Sequence, residues 1–111
     1  MDKKENFFQD VYEVVKLIPF GRATSYGAIA HYLGAKGSAR MVGWALNQSF
    51  GSGANIPAHR VVNRNGMLTG KHFFPTDRSM EKLLEQENIR VENDKILNFK
   101  EVFWNPTEEL N

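Results

Sequence analysis

The stretch Thr24-Ser25-Tyr26-Gly27-Ala28-Ile29-Ala30-His31-Tyr32-Leu33-Gly34, followed by Ser38-Ala39-Arg40-Met41-Val42-Gly43-Trp44-Ala45-Leu46-Asn47-Gln48, decides the fold class. Thr24-Ser25 offers a hydroxyl N-cap. Ile29, Ala30 and Leu33 recur at helical spacing and Gly34 supplies a stop, so the first piece predicts a short helix. Gly37-Ser38 opens the second, a helix from Ser38 to about Gln48. It buries Val42, Ala45 and Leu46 and turns Arg40, Gly43, Trp44 and Asn47 to the opposite side. Two short helices about a tight turn read as a helix-turn-helix.

Toward the N-terminus, Phe7, Phe8, Val11, Val14, Val15 and Ile18 fall on one stripe of a helix of about four turns, stopped by Pro19 and Gly21. Toward the C-terminus, residues 49–55 read as a small-residue loop and Ile56-Pro57 breaks any further helix. Val61-Val62, the turn Asn63-Arg64-Asn65-Gly66 and Met67-Leu68 then predict a minimal hairpin or wing with Arg64 at its tip. Asp77 or Ser79 caps a last helix over 80–87. Asn93-Asp94 suggests a second hairpin, and Phe99, Phe103 and Trp104 form an aromatic tail. The fold class expected is mainly α: a winged helix-turn-helix DNA-binding domain with a short β-hairpin wing, one domain over residues 1–111.

With 41% hydrophobic and 24% charged residues, the chain has the balance of a globular domain. It contains no cysteine, which removes disulfides, thiolate zinc sites and thiol nucleophiles together; no metal or cofactor is expected. A charged start and no long apolar run predict neither a signal peptide nor a membrane span, hence a cytoplasmic, nucleoid-associated location. The net charge of +1 hides an asymmetry. Residues 1–13 carry a net −2 and residues 73–111 a net −4, while residues 14–72 hold Lys16, Arg22, Lys36, Arg40, Arg60, Arg64 and Lys71 without one carboxylate. Such a segment suits a polyanion.

The segment Ile56-Pro57-Ala58-His59-Arg60-Val61-Val62 resembles the Pro-Cys-His-Arg-Val signature of the O6-alkylguanine-DNA alkyltransferases, with alanine at the acceptor position. Thr24-Ser25-Tyr26-Gly27-Ala28-Ile29-Ala30 is similar to that family's tyrosine-bearing helix, and Ser38-Ala39-Arg40-Met41-Val42-Gly43 to its arginine-finger helix. The match covers the family's C-terminal, DNA-binding domain. The close Val102-Phe103-Trp104-Asn105-Pro106 resembles the short alkyltransferase-like proteins, which lack the acceptor cysteine, bind O6-alkylguanine and present it to nucleotide excision repair.

The resemblance implies roles residue by residue. Arg40 would fill the stack when a nucleotide is rotated out, where charge alone suggests a phosphate contact. Tyr26 would crowd the target phosphate and bond the base edge, or simply pack its helix. Ala39 and Gly43 would let the helix sit in the minor groove, or serve helix packing. Trp44 departs from the family's small or polar residue and could stack on DNA, edge the pocket or pack. Pro57, Ala58, Val61 and Val62 would form the pocket floor; other alkyltransferase-like proteins often carry tryptophan at position 58, so this pocket should be roomier. His59 and Glu87 match the family's thiolate-activating pair, vestigial without a thiol. Arg60 would be structural, and Arg64, Lys36, Lys71 and Arg22 are phosphate candidates.

The leading expectation is a monomeric, non-catalytic sensor. It flips O6-alkylguanine out of double-stranded DNA and passes it to nucleotide excision repair proteins or shields it from an alkyltransferase. Two alternatives stand beside it: a winged-helix transcriptional regulator of undamaged sequence, which a footprint at defined sites would reveal, and a hydrolase using His59 and Glu87.

Overall fold

The computed structural model describes residues 3–34 and 38–110, with side chains from residue 7 onward. Lys36 and Gly37 therefore lie outside the described residues. Among the described residues, six α-helices form the framework: α1 (Lys3–Lys16), α2 (Tyr26–Tyr32), α3 (Ala39–Ser52), α4 (Met80–Glu85), α5 (Phe99–Val102) and α6 (Pro106–Glu109). Four two-residue strands join them: β1 (Thr24–Ser25), β2 (Val61–Val62), β3 (Val91–Glu92) and β4 (Lys95–Ile96). The architecture is mainly α, and α2 and α3 form the helix-turn-helix. No described helix is long and apolar enough to cross a membrane.

The apolar stripe of α1 buries Phe8, Val11, Tyr12, Val14 and Val15, with Ile18 just beyond it, against Ile29 and Ala30 of α2 and Val42, Ala45 and Leu46 of α3. Tyr12 Oη donates to the carbonyl of Ala45 at 2.9 Å, fixing α1 on α3. A second cluster gathers Ala23, Val62, Leu68, Met80, Leu84, Ile89 and Ile96. Successive residues of a strand face opposite ways, so in β2 Val61 enters the first cluster and Val62 the second. The residues just before β2 are thereby held at the seam between the two clusters.

Ser25 caps α2 through its side chain, which accepts from the amide of Ala28. Helix α3 runs four residues past the expected end at Gln48. Its serines satisfy their hydroxyls within the helix, Ser49 Oγ donating to Leu46 O at 2.6 Å and Ser52 Oγ to Ser49 O at 3.3 Å. It stops only at Gly53, whose φ of 79° is the left-handed cap that glycine adopts without steric penalty. Ser79, rather than Asp77, caps α4, its hydroxyl accepting from the amide of Lys82.

The hairpin expected over 61–68 is corrected. β2 pairs in parallel with β1, Thr24 opposite Val61 and Ser25 opposite Val62, because both valines are wholly buried and their ladder lies in the interior. Asn63-Arg64-Asn65-Gly66 does turn the chain: Gly66 N–H donates to Asn63 O at 2.9 Å, and Asn63 Oδ1 accepts from the amides of Asn65 and Met67. Met67, however, bridges to Lys95 of β4, not to Val62. The hairpin of this winged fold is β3–β4, turned by Asn93 and Asp94 at φ of 52° and 61°, the type I′ pattern. The aromatic tail folds back: Trp104 is buried in the first cluster and its amide donates to Ala23 O at 2.7 Å.

Candidate functional site

Of the six described cations between residues 14 and 72, four are engaged by protein groups. Arg22 is not a phosphate residue in this structure: its Nε donates to Val102 O at 3.0 Å and its Nη2 to Phe103 O at 2.6 Å, pinning the C-terminal tail. Lys71 pairs with Asp94, and Lys16 lies 3.4 Å from Glu13. Arg40 on α3 and Arg64 at the turn tip are exposed and point their charge outward.

Arg40 shares a groove of about 320 Å³ with Tyr26, Ala39, Gly43 and Asn47. Its opposite wall is Thr69, Gly70 and Phe73, which carry no periodic signal and were not expected from the sequence. Placement follows from the helix-turn-helix: Tyr26 opens α2, and residues 39, 40, 43 and 47 recur on one face of α3. Burial pushes the Tyr26 hydroxyl above its ordinary value, a Thr69 hydrogen bond opposing it, so the phenol keeps its proton at neutral pH and can donate. A Cβ at Gly70 would meet Tyr26 Oη at 3.0 Å, so a larger residue there would displace that hydroxyl. Trp44 stands one turn beyond Arg40, 48% exposed, outside the groove lining.

Pro57 and Ala58 sit elsewhere, on a larger cavity of about 750 Å³ walled by Phe50, Ile56, Phe74 and Leu83. Ala58 begins a 3-10 turn, Ala58–Arg60, closed by Arg60 N–H donating to Pro57 O at 3.0 Å. Val61 and Val62 are not pocket floor: both are enclosed by core and support the turn from beneath. The expected constellation is thus split between the groove on α3 and the cavity beside Ala58. Phe50, reached by the extension of α3, packs edge-on to Phe74 with ring centroids 4.7 Å apart.

Behind Ala58 lies a buried polar network centred on Glu87. Glu87 is 6% exposed, and His59 Nε2 approaches its Oε2 at 2.6 Å. Arg60 donates from Nε to both carboxylate oxygens, at 3.0 and 3.1 Å, and from Nη2 to Oε2 at 2.8 Å. The amide of Gly21 supplies a further donor at 2.9 Å, and Arg60 Nη1 reaches Ile18 O at 2.8 Å. Arg60 is therefore structural. Burial alone would raise the Glu87 carboxyl; the hydrogen bonds from Arg60, Gly21 and His59 outweigh it and hold it below its ordinary value. Burial pushes His59 below its ordinary value, against the upward pull of Glu87. Neutral His59 then carries its proton on Nε2, shared with ionised Glu87. Position 58 presents a methyl group, which accepts no alkyl transfer.

The DNA-binding domain of 6-O-methylguanine DNA methyltransferase is the family model that matches the chain, over residues 6–89. The chain belongs to this family. It is 30% identical over 108 residues to alkyltransferase-like protein 1 of Schizosaccharomyces pombe, covering 94% of this chain and 99% of that protein. It is 35% identical over 107 residues to the DNA base-flipping protein of Escherichia coli K12, covering 95% and 79%. It superposes on the crystal structure of S. pombe Atl1 in complex with damaged DNA containing O6-carboxymethylguanine with a TM-score of 0.75 at 30% identity, over 96% of this chain and 100% of that one. The alkyltransferase-like character expected from the sequence is therefore established, with no cysteine anywhere in the chain.

A family member whose signature pair is structural should be acid-sensitive. Both folded-state values lie below the unfolded ones, near 6.5 for His59 and 4.5 for Glu87, so the unfolded chain takes up each proton first. Stability from these groups is complete above those unfolded values and is lost as pH falls through the folded ones. The melting temperature is expected to decline below about pH 6.5 and again below about 4.5. In Glu87→Gln the lower step should shrink. A melting temperature independent of pH between 7 and 4 would contradict the assignment.

Proposed function

We propose that this protein senses O6-alkylguanine in duplex DNA, rotating the damaged nucleotide out of the helix and holding it unchanged. The observation that carries the reading is the coexistence of an outward Arg40, a protonated Tyr26 and an intact Pro57–Arg60 turn with a methyl group at position 58. The relatives named for base flipping and bound to O6-carboxymethylguanine DNA support it.

Rotation of a nucleotide costs a few kcal/mol of unstacking and unpairing. Arg40 offsets part of that cost by placing a planar cation in the vacated stack. Tyr26 Oη donates to an acceptor on the base edge, Arg64 fixes a phosphate, and the O6 substituent passes Ala58 into the larger cavity. The protein acts as a single-domain monomer and hands the lesion to excision-repair proteins or shields it from an alkyltransferase.

Incubating a duplex with labelled O6-methylguanine should give bound label and no release. Sustained release with turnover would restore the hydrolytic alternative through His59 and Glu87. Ala58→Trp should fill the space beside the turn. Binding of O6-benzylguanine DNA is expected to fall about tenfold, within the ~1–3 kcal/mol of an overpacked site, and that of O6-methylguanine DNA by much less. An equal response to both adducts, measured by titration, would show that position 58 does not face the substituent.

A further inference from the structure

The cavity beside Ala58 is lined by both apolar and cationic side chains. Next to the methyl group the wall is aromatic, formed by Phe50 and Phe74. Lys16, His59, Arg60 and Arg78 also line it, and the lining includes no Asp or Glu. Neutral His59 and the Arg60 guanidinium are both engaged by Glu87, leaving Lys16 and Arg78 as the cations that the cavity presents. Lys16 shares its charge with Glu13 on an exposed surface, a weak attachment that leaves it able to turn. Arg78 is exposed at the end of the 3-10 turn Thr76–Arg78, on the side remote in sequence from α1. Two long cationic arms from different elements thus border one cavity of about 750 Å³, far larger than a methyl group requires.

A cavity that joins aromatic side chains to two cations suits a substituent whose stem is hydrocarbon and whose end is an anion. We infer that this chamber selects O6 adducts ending in a carboxylate, with Lys16 and Arg78 as specificity-determining residues. The inference rests on the proposed entry of a flipped O6-alkylguanine past Ala58 and adds to it the chemical class of adduct preferred. An anionic adduct on DNA otherwise meets repulsion from the phosphates around it, so a local pair of cations decides whether it is tolerated.

Matched adducts separate charge from shape. O6-carboxymethylguanine is compared with O6-carbamoylmethylguanine, and O6-(4-carboxybenzyl)guanine with its 4-carbamoylbenzyl counterpart, in one duplex beside O6-methylguanine and guanine controls. The carboxylate of at least one pair is expected to bind about fivefold more tightly than its amide, the size of an exposed ion pair. That ratio should approach one in the Lys16→Gln/Arg78→Gln double variant, whose exposed positions leave the core intact. A preference for O6-methylguanine over guanine with no carboxylate preference in either pair would overturn this inference and leave the lesion reading standing. Equal affinity for every duplex, guanine included, would remove the lesion reading itself. Equal weakening of all duplexes in the double variant, with both pair ratios preserved, would make Lys16 and Arg78 phosphate contacts and also overturn the inference.

Discussion

Glu87→Ala is expected to reduce folding stability by about 3–5 kcal/mol, the cost of leaving one partner of a buried ion pair without the other. Out of a total of about 5–15 kcal/mol for a domain, this is a severe loss. Its carboxylate is the common acceptor for Arg60, His59 and the Gly21 amide, so one substitution strands three donors. Those donors come from the segment after α1 and from the turn before β2, while Glu87 follows α4. The residue therefore joins three segments at the seam of the two core clusters. Glu87→Gln keeps the shape and one acceptor oxygen and should fall between wild type and Ala. Urea denaturation with an unchanged m-value checks this; a loss under about 1 kcal/mol for Ala would mean that the carboxylate is dispensable.

For recognition the largest effect is expected at Arg40. Arg40→Ala should weaken binding to an O6-methylguanine duplex by about 30–150-fold, equivalent to ~2–3 kcal/mol, and bring its affinity close to that for guanine. Arg40 is exposed on α3, so its truncation leaves the core packing intact. Arg40→Lys keeps the charge but loses the plane that lies between bases, so it should recover only part of the preference. Arg64→Ala is the contrast: both duplexes should weaken together and the salt dependence should become shallower by about one ion. If Arg40→Ala behaved like Arg64→Ala, Arg40 would be a phosphate contact.

Much of the fold was legible because its signals are local. The α1 stripe, the Ser25 cap, the Gly34 stop and the Asn93-Asp94 turn each depend on a few neighbouring residues. What failed depends on distant ones. The partner of Val61-Val62 is Thr24-Ser25, and nothing local in Asn63-Arg64-Asn65-Gly66 says that its continuation will pair with Lys95. Charge placed Arg22 among the phosphate residues, but the carbonyls of Val102 and Phe103 that engage it are eighty residues away. At the site, the face of α3 was readable from its period. The pairing of His59 with Glu87 came only from the family resemblance. Thr69 and Gly70 lead into the 3-10 turn Lys71–Phe73, a segment without periodicity, and Phe50 was hidden by the assumption that serines and glycines end α3. The mixed sequence Gly70-Lys71-His72-Phe73-Phe74-Pro75 was the available clue, since it leaves Phe73 exposed beside a glycine.

The central claim is discrimination, because a basic helix-turn-helix binds any duplex through its phosphates. The most direct measurement is a paired titration at one stated salt concentration of two duplexes that differ only in O6-methylguanine against guanine. The expected result is tighter binding of the lesion duplex by about tenfold or more, with the difference persisting as salt is raised and both affinities fall. Equal affinities across the salt series would contradict it.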